Sequence, residues 1–307
     1  MEAENYSLLE ATIPPMFGGL RLDQALARLF PQYSRNRLQA WLKAGHILVD
    51  GAAGTAKQAV SGGERVALVP PQPPAGSSPQ AQRMPLSIVH EDRDLIVIDK
   101  PAGLVVHPGA GVPDRTLMNA LLAHAPGLAA VPRAGIVHRL DKDTSGLMVV
   151  AKNVSAQADL VKQLAARSVR RVYLAVVHGD PPAGGTIDAP VGRDARARTR
   201  MAVSRRGKDA RTGYRVLERY RRAALLECRL ETGRTHQIRV HFQHIHHPLL
   251  GDPVYRRGAR QALPFPRQAL HASELSLVHP RSGRAMSWRA PLPQDMQRLV
   301  DALRAER

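Results

Sequence analysis

Cysteine is nearly absent from this sequence: Cys228 is the one cysteine in 307 residues. A single thiol excludes an internal disulfide and any zinc site made of cysteines. Cys228 stands in the apolar run 225–230, which predicts a buried thiol in a reducing compartment. We therefore expect a cytoplasmic protein.

Long apolar runs are missing as well. No stretch approaches the roughly 20 apolar residues that a membrane span needs. Residues 1–11 carry Glu2, Glu4 and Glu10 and contain no apolar segment, so they do not resemble a signal peptide. The sequence therefore predicts neither a membrane protein nor an exported one.

Complete nucleotide-binding loops are also lacking. Gly109-Ala-Gly111 stands between a strand-like and a helix-like stretch, but Pro113-Asp114 occupies the place of the third glycine of a dinucleotide loop. No Gly-Lys-Ser or Gly-Lys-Thr phosphate loop occurs. Dehydrogenase and methyltransferase hypotheses lose their main support, and we expect no nucleotide cofactor.

Acidic residues are outnumbered by basic ones. The chain has 44 Lys and Arg against 26 Asp and Glu, a formal net charge of +18. This balance favours a polyanionic partner, and nucleic acid is the commonest one. Only seven of the cations are lysines, and the guanidinium of the many arginines suits bidentate contacts with phosphates and bases. A genome of high G+C content also enriches arginine, so only part of this bias counts toward a nucleic-acid partner.

Five histidines crowd a short segment and look like a metal cluster: His236, His241, His244, His246 and His247. No cysteine lies nearby and no His-Glu-x-x-His pattern appears, so the ligand spacing of known zinc sites is not met. We expect packing and contacts with RNA phosphates instead of metal binding, with His236 as a candidate RNA contact.

Residues 138–152 are the most informative stretch: His-Arg-Leu-Asp-Lys-Asp-Thr-Ser-Gly-Leu-Met-Val-Val-Ala-Lys. A polar turn with two aspartates and two cations runs straight into the apolar run 147–151, which predicts a buried strand. Charges packed against a core strand are costly unless each has a partner, which favours a functional site. The residues alone leave open a solvated turn in which an Asp or Thr caps its own backbone.

This stretch resembles the signature of the RluA family of pseudouridine synthases, and within it the RluD type, which modifies large-subunit ribosomal RNA. Further matching segments follow the family's order and spacing: 94–109, 171–179, 230–241 and 251–253. The resemblance runs from about residue 20 to about residue 299. It implies an enzyme that converts uridine to pseudouridine without a cofactor or a metal, acting on ribosomal RNA or a pre-ribosomal particle.

The resemblance also implies roles for individual residues. Asp141 matches the family's catalytic aspartate, and Arg234 is expected to hold this carboxylate charged through an ion pair. Tyr173 matches the tyrosine that stacks on the target ring and can accept the C5 proton. Arg139 matches the arginine that fills the gap left by the flipped nucleotide. Without the resemblance, Tyr173 would be read as an ordinary core aromatic.

Asp143 is a second candidate carboxylate in the same turn. Two positions beyond Asp141 on an extended segment, it would lie on the same side, as in a glycosidase with two carboxylates. We instead expect its side chain to accept the backbone N–H groups of Thr144 and Ser145 and so to tighten the turn.

The composition divides the chain into parts. Residues 70–82 are rich in proline, which fixes φ and withholds a donor, so this segment predicts an extended tether. We therefore expect a tail at 1–18, a small domain at 19–70, a linker at 71–84 and a catalytic domain at 85–307.

The small domain resembles the S4 RNA-binding module. Its pattern predicts helices at 21–30 and 35–44 and strands at 47–49 and 65–69. Three cations fall off the apolar helix faces and are candidate phosphate contacts: Arg35, Arg37 and Lys43. The alternative is a helix face made basic for solubility.

The catalytic domain is predicted to be α+β, with a mixed, largely antiparallel central sheet and flanking helices, because strands outnumber helices and do not alternate with them. The predicted strands are 95–99, 104–107, 147–151, 172–177, 225–230 and 237–242, and the predicted helices are 116–125 and 155–166. The basic segment 193–211 is either an RNA-contacting loop or a solvated insertion.

Our leading hypothesis is a pseudouridine synthase that acts as a monomer on a stem-loop of large-subunit ribosomal RNA, with no obligatory protein partner. A second hypothesis is a catalytically silent S4-type protein that binds RNA or assists ribosome assembly; the presence of Asp141, Tyr173 and Arg234 argues against it. A third, a glycosidase acting on another polymer, has no positive support.

Overall fold

The computed structural model describes residues 8–31, 33, 35–71, 79–109, 111–197, 199–256 and 263–306. The chain divides into two compact units, one within residues 1–78 and the other within 79–307. Most of the proline-rich stretch, residues 72–78, lies outside the described residues. Among those that are described, no helix is long and apolar enough to cross a bilayer.

The described residues of the first unit form four strands and two α-helices. The strands are β1 (Leu9–Thr12), β2 (Ile47–Val49), β3 (Ala52–Ala53) and β4 (Arg65–Leu68), and the helices are α1 (Leu22–Leu29) and α2 (Arg35–Lys43). The strands pair antiparallel in the order β1-β4-β2-β3. The predicted tail at 1–18 is therefore wrong in part, because β1 pairs with β4 and belongs to this unit.

The helices of the first unit cover its sheet through their predicted apolar faces. Leu22 and Leu26 of α1 and Leu38 of α2 are fully buried, and they pack with Ile47 and Leu68 of the strands. A single buried face on each helix and one on the sheet gives a small two-layer core.

The second unit is built on one nine-stranded sheet. Its strands are β5 (Ile88–Glu91), β6 (Leu95–Lys100), β7 (Ser145–Ala151), β8 (Arg170–His178), β9 (Gly184–Asp188), β12 (Arg211–Arg219), β13 (Ala223–Leu230), β14 (Leu270–Val278) and β15 (Ala285–Arg289), and a separate pair is formed by β10 (Val191–Arg193) and β11 (Met201–Val203). The order is β5-β6-β7-β14-β8-β13-β12-β9, with β15 on β14. Every pairing is antiparallel except that of β7 with β14. The predicted α+β fold with a mixed, largely antiparallel sheet is confirmed.

The sheet is buried on both faces where its central strands lie. Along β6, Ile96 and Ile98 pack into one core, whereas Leu95 and Val97 pack into another on the opposite face. The helices α3 (Leu117–His124) and α5 (Gln237–His244) contribute to the first of these cores, and α4 (Val154–Ala165) contributes to the second. Helix α6 (Gln294–Ala305) packs in a further cluster with Val176 and Leu225. Burial on both faces explains why these strands read as continuous apolar runs.

Two predicted strands are wrong. Residues 104–107 form a loop, in which the carbonyls of Val105 and Val106 accept the first N–H groups of α3. Residues 237–242 lie in α5, not in a strand. All six of them are buried, so the alternation of polar and apolar residues in this stretch does not distinguish a core face from an exposed one.

Parts of the predicted linker and of the basic segment 193–211 make contacts with the rest of the second unit. The described end of the predicted linker is attached to α3, since Gln82 donates its backbone N–H to the Asn119 carbonyl at 3.0 Å. Within the basic segment 193–211, β11 pairs with β10, and the backbone N–H of Met201 donates to the Tyr255 hydroxyl at 2.9 Å. The part of this segment around β11 is therefore ordered against the domain.

Candidate active site

The turn that carries Asp141 opens onto a cleft of about 520 Å³. The cleft is lined by the segments 136–141 and 230–239, by Leu164, Ala165, Arg167, Arg171 and Tyr173, and by His107, Arg133, Thr144 and Leu270. The turn is closed by the backbone N–H of Thr144, which donates to the Asp141 carbonyl at 3.1 Å. Asp141 thus lies at the wall of the cleft, with 18% of its side chain exposed.

Gly146 fixes the strand that follows this turn. Its φ is +114°, and a Cβ placed on it would lie 2.3 Å from the carbonyl oxygen of Ala272 on β14. Gly146 and Ala272 are partners in the parallel pairing of β7 with β14. Only glycine fits this close approach, so Gly146 sets the position of the turn against the sheet.

Lys100 ties the turn to the end of β6. Its side chain is 1% exposed, and its ammonium group donates to the carbonyls of Pro101 (2.8 Å), Leu104 (2.9 Å) and Lys142 (2.9 Å). Burial lowers the pKa of Lys100 to about 8, although the charges of Asp143 and Asp141 oppose this. The three contacts hold the backbone next to Asp141 in place.

Arg239 of α5 connects Asp141 to a second carboxylate. Its Nη1 donates to Asp141 Oδ2 at 2.8 Å, and its Nε and Nη2 donate to the two oxygens of Asp252 at 2.6 and 3.0 Å. Asp252 is fully buried and also accepts the backbone N–H groups of Val254 and Tyr255. Burial alone would lower the pKa of Arg239, but the two carboxylates raise it overall. The guanidinium is therefore a fixed positive charge beside Asp141.

The ion pair predicted between Arg234 and Asp141 is wrong. Arg234 lines the cleft, but its Nε donates to the Asp209 carbonyl at 2.9 Å, and its backbone N–H donates to Gln237 at 2.9 Å. Arg239 takes the place beside Asp141 instead. It stands in the same matched segment, and the helix, read as a strand from the sequence, turns it toward Asp141.

His236 lies in the cleft at the start of α5. Its Nε2 is 3.8 Å from Asp141 Oδ1, and its Nδ1 is 2.8 Å from the Tyr255 hydroxyl. Because that hydroxyl already accepts the Met201 N–H, its own proton is free to be donated to Nδ1, which leaves the Nε2 proton directed toward Asp141. Burial lowers the pKa of His236, while the charge of Asp141 raises it.

Tyr173 reaches the same cleft from β8. Its side chain is 6% exposed, and it packs with the core that includes Cys228 and Leu226. Burial raises the pKa of Tyr173; the charge of Arg171 opposes this, and that of Asp141 adds to it. The phenol is therefore uncharged at neutral pH. Cys228 is fully buried, as predicted, and burial raises the pKa of its thiol.

Arg139 is exposed at the cleft, in the turn that carries Asp141. Nearby, burial lowers the pKa of His107 to about 4, and the charges of Arg139 and Arg133 contribute to this shift. The Nε2 atom of His107 is buried and lacks a hydrogen-bond partner within the described part of the chain. The cleft is therefore electropositive on this side.

Asp143 does not cap the turn as expected. The Thr144 N–H donates to the carbonyl of Asp141, not to the Asp143 side chain. The carbonyl of Asp143 accepts from Arg267 Nη1 at 3.0 Å. The charge of Asp143 instead acts on buried Lys100.

The clustered histidines do not converge on one point. His241 is fully buried, with its two ring nitrogens 2.9 Å from the Thr212 hydroxyl and 2.9 Å from the Ala189 carbonyl. His247 bonds the carbonyl of His178. These contacts are those of packed, hydrogen-bonded histidines.

The predicted phosphate contacts of the first unit are in different surroundings. Arg35 donates to Asp23 at 3.0 and 2.7 Å, and Asp23 is fully buried. Arg37 lies over the Trp41 ring, 5.6 Å from its centre, and Lys43 is exposed near the end of α2. Arg35 is thus also a structural residue of this unit, which its exposed position in the sequence pattern did not indicate.

Two family models match the chain. The model of RNA pseudouridylate synthases matches residues 94–244, and that of the S4 domain matches residues 20–66. The first of these regions contains Asp141, Tyr173 and Arg239.

Similar proteins extend the match to nearly the whole chain. The ribosomal large subunit pseudouridine synthase D of Nitrosomonas europaea is 56% identical, over 98% of this chain and 89% of that protein. The proteins of the same name from Pseudomonas aeruginosa and Escherichia coli K12 are 53% and 52% identical, each over 97% of this chain and over 96% and 95% of those proteins.

A solved structure shares the fold of the larger unit. Human RNA pseudouridylate synthase domain containing 4 superposes with a TM-score of 0.57 at 28% identity, covering 71% of this chain and 93% of that one. With relatives more than half identical from end to end, and with the cleft residues inside the matched region, this protein belongs to the RluA family of RNA pseudouridine synthases and is of the RluD type.

Proposed function

We propose that this protein isomerises specific uridines of large-subunit ribosomal RNA to pseudouridine, with Asp141 as the catalytic carboxylate and without a cofactor. The relatives described above are named for this activity on the large ribosomal subunit. The observation that most supports the role of Asp141 is its place on the cleft wall, ion-paired with Arg239.

The reaction is a rearrangement in which no atoms are gained or lost overall. The C1′–N1 bond of uridine breaks, the base turns, and C5 bonds to C1′; C5 then loses a proton and N1 gains one. The carboxylate of Asp141 acts at the ribose while this bond is open. Arg239 pairs with that carboxylate and orients it, because the position of Arg239 is itself fixed by two bonds to Asp252.

Tyr173 and Arg139 complete the site in this proposal. The uncharged ring of Tyr173 packs against the face of the target uracil, with its oxygen available to the C5 proton. The exposed side chain of Arg139 fills the place that the flipped nucleotide leaves in its loop. His236 and Arg234, which line the cleft, contact the nucleotide within it.

The S4-like unit adds affinity for the RNA backbone. Arg37 and Lys43 are exposed on α2, and Arg35 keeps 42% of its side chain accessible beside Asp23. Such contacts are salt-dependent and independent of sequence, so selectivity comes from the shape of a stem-loop and its splayed bases. We propose that the protein acts as a monomer in the cytoplasm, on ribosomal RNA or a pre-ribosomal particle.

Pseudouridine mapping of large-subunit ribosomal RNA tests the proposal. Cells that lack the protein are complemented with wild type, Asp141→Asn or Asp143→Asn. We expect particular loop uridines to lose modification in the deletion strain, and wild type and Asp143→Asn to restore it. Asp141→Asn is expected to restore none, because the amide cannot act as an anionic carboxylate.

The other outcomes are equally informative. An unchanged map would favour a silent RNA-binding protein or a different RNA substrate. Full restoration by Asp141→Asn would overturn the catalytic assignment while leaving the substrate in place.

A further inference from the structure

Arg171 is a buried cation without a counter-ion in the described part of the chain. Its side chain lies on β8 and is 9% exposed. Its Nε is buried and has no hydrogen-bond partner, and no carboxylate of the described residues forms a salt bridge with its guanidinium. An unpaired charge is unfavourable in such a position, so its retention calls for a partner from outside the chain.

The guanidinium of Arg171 faces the catalytic cleft. Arg171 lines the cleft, two residues before Tyr173 on the same strand, so both side chains lie on one face of β8. The pKa of His138, which also lines the cleft, is lowered first by burial and then by the charge of Arg171. A ligand in the cleft therefore meets Arg171 beside the ring of Tyr173.

Gly233 provides the room for this guanidinium. A Cβ at position 233 would lie 2.7 Å from Arg171 Nη1. The loop that contains Gly233 also lines the cleft. Because residue 233 has no side chain, Nη1 of Arg171 can lie beside this loop; a side chain there would displace it.

The missing partner of Arg171 is best supplied by a phosphate. The uracil ring is neutral and cannot compensate a buried positive charge, whereas phosphodiesters are the fixed anions of RNA. The planar guanidinium also matches a phosphate through two parallel hydrogen bonds. Asp141 is already bonded by Arg239, so it is not an open partner for Arg171.

We propose that Arg171 binds a backbone phosphate directly flanking the target uridine and thereby positions that nucleotide over Tyr173. This inference rests on the proposed function. Residues two apart on a strand are separated by about 7 Å, a distance that places the two contacts within a single nucleotide and its linkage. Arg171 is thus a substrate-binding residue of the reaction, distinct from Asp141 and Arg239.

The variant Arg171→Gln separates this role from a structural one. If the phosphate is the partner, the free protein gains thermal stability when the unpaired charge is removed, while affinity for RNA falls about 10-fold or more. Arg170→Gln is the matched control, since Arg170 is 52% exposed, lies outside the cleft and pairs with Glu274 at 3.2 Å. Lower stability of Arg171→Gln with unchanged RNA affinity would show a structural residue and overturn the proposal.

A scan of neutral linkages locates the phosphate. The probe is a synthetic stem-loop around a uridine identified by the mapping experiment, with a single methylphosphonate at each linkage near that uridine. The nucleotide next to each methylphosphonate carries a 2′-O-methyl group, which keeps the linkage chemically stable. The control for each probe has the same 2′-O-methyl group but an ordinary phosphate. We measure equilibrium binding by wild type and by Arg171→Gln.

The expected result is one linkage, directly 5′ or 3′ of the target, at which neutralisation weakens wild type about 10-fold but leaves Arg171→Gln unaffected. Equal losses of affinity for both proteins at every linkage would overturn the proposal. The absence of any sensitive linkage beside the target in wild type would also overturn it, and this result does not require that the variant folds. Turnover of the unmodified stem-loop by wild type is measured in parallel. If wild type does not form pseudouridine, it is the proposed function that fails.

Discussion

Arg239 donates a 2.8 Å hydrogen bond to Asp141, and the guanidinium that donates it is itself held by a buried carboxylate. The same guanidinium is held by both oxygens of Asp252, which is fully buried and bonded to two backbone N–H groups. The position of Asp141 in the cleft is therefore set from the core outward. A carboxylate oriented before substrate arrives needs no reorganisation during the reaction.

The substitution Arg239→Lys is expected to slow catalysis about 100-fold or more, because a lysine keeps one positive charge but cannot bond both carboxylates at once. RNA affinity should change little, since Arg239 is 4% exposed. Single-turnover rates and equilibrium binding with the same stem-loop separate the two effects. A variant with a normal rate and weakened RNA binding would contradict this assignment.

Removal of the charge tests the structural half of the same bridge. Arg239→Met leaves the fully buried carboxylate of Asp252 without its cation, which is expected to destabilise the domain by about 3–5 kcal/mol. Arg234→Met is the matched control, because Arg234 contacts a backbone carbonyl instead of a carboxylate. Urea unfolding monitored through the exchange of α5 amides reports the loss. Equal stability of the two variants would show that Asp252 does not depend on Arg239.

Tyr173→Phe separates the ring from the hydroxyl. Since burial raises the pKa of Tyr173, its reactive phenolate is scarce at neutral pH. If its oxygen accepts the C5 proton, the wild-type rate should increase with pH below that pKa, and Tyr173→Phe should lose both this increase and about 100-fold in rate. RNA affinity should persist because the ring remains. A wild-type rate in Tyr173→Phe would limit Tyr173 to packing against the base.

Much of the fold follows from local pattern in the sequence. The apolar runs of β6 and β7 identify strands because both of their faces are buried, and the spacing of Leu22 and Leu26 identifies α1 because one face is. Asp141 stands out since a charged turn directly precedes a buried strand. These features depend on neighbours along the chain, which a sequence displays.

Other features depend on contacts that the sequence does not display. Arg239 belongs beside Asp141 because α5 turns it inward and Asp252, thirteen residues later, receives it. When residues 237–242 are read as a strand, that geometry is lost, and the prediction of Arg234 rests on the family resemblance alone. β1 is not predicted for a similar reason, since the strand with which it pairs, β4, lies more than fifty residues away.

Arg35 and Lys43 of the first unit are predicted to behave differently. Arg35→Gln removes two charged hydrogen bonds from the fully buried Asp23 and is expected to cost this unit about 1–3 kcal/mol. Lys43→Gln should leave stability unchanged and reduce the salt dependence of RNA binding by about one phosphate contact. Amide exchange in α1 of the full chain and binding titrations at several salt concentrations give both quantities. Arg21 and Gln39 also donate side-chain hydrogen bonds to Asp23, so unchanged exchange in Arg35→Gln would mean that these two residues suffice to hold it.

Acid stability should depend on His138. Burial, aided by the charge of Arg171, lowers its pKa to about 3, and its Nε2 accepts the Val149 N–H at 3.1 Å. Between pH 6.5 and 3 the unfolded chain therefore binds a proton at this residue that the folded chain does not. The free energy of unfolding falls as the pH decreases through this window, by up to about 1.4 kcal/mol per pH unit.

His138→Gln is expected to reduce the slope of this decline by the contribution of about one proton, because the side-chain oxygen of glutamine can accept the same N–H and glutamine does not titrate. The free energy of unfolding is measured in urea from pH 4.5 to 8 through the exchange of β7 amides, with His244→Gln, which removes an exposed ring at the end of α5, as control. Because Arg171 helps to keep His138 neutral, Arg171→Gln should raise the pKa of His138 in the folded protein, so that the decline ends at a higher pH. An acid profile of His138→Gln that coincides with wild type would show that this ring binds its proton equally in both states.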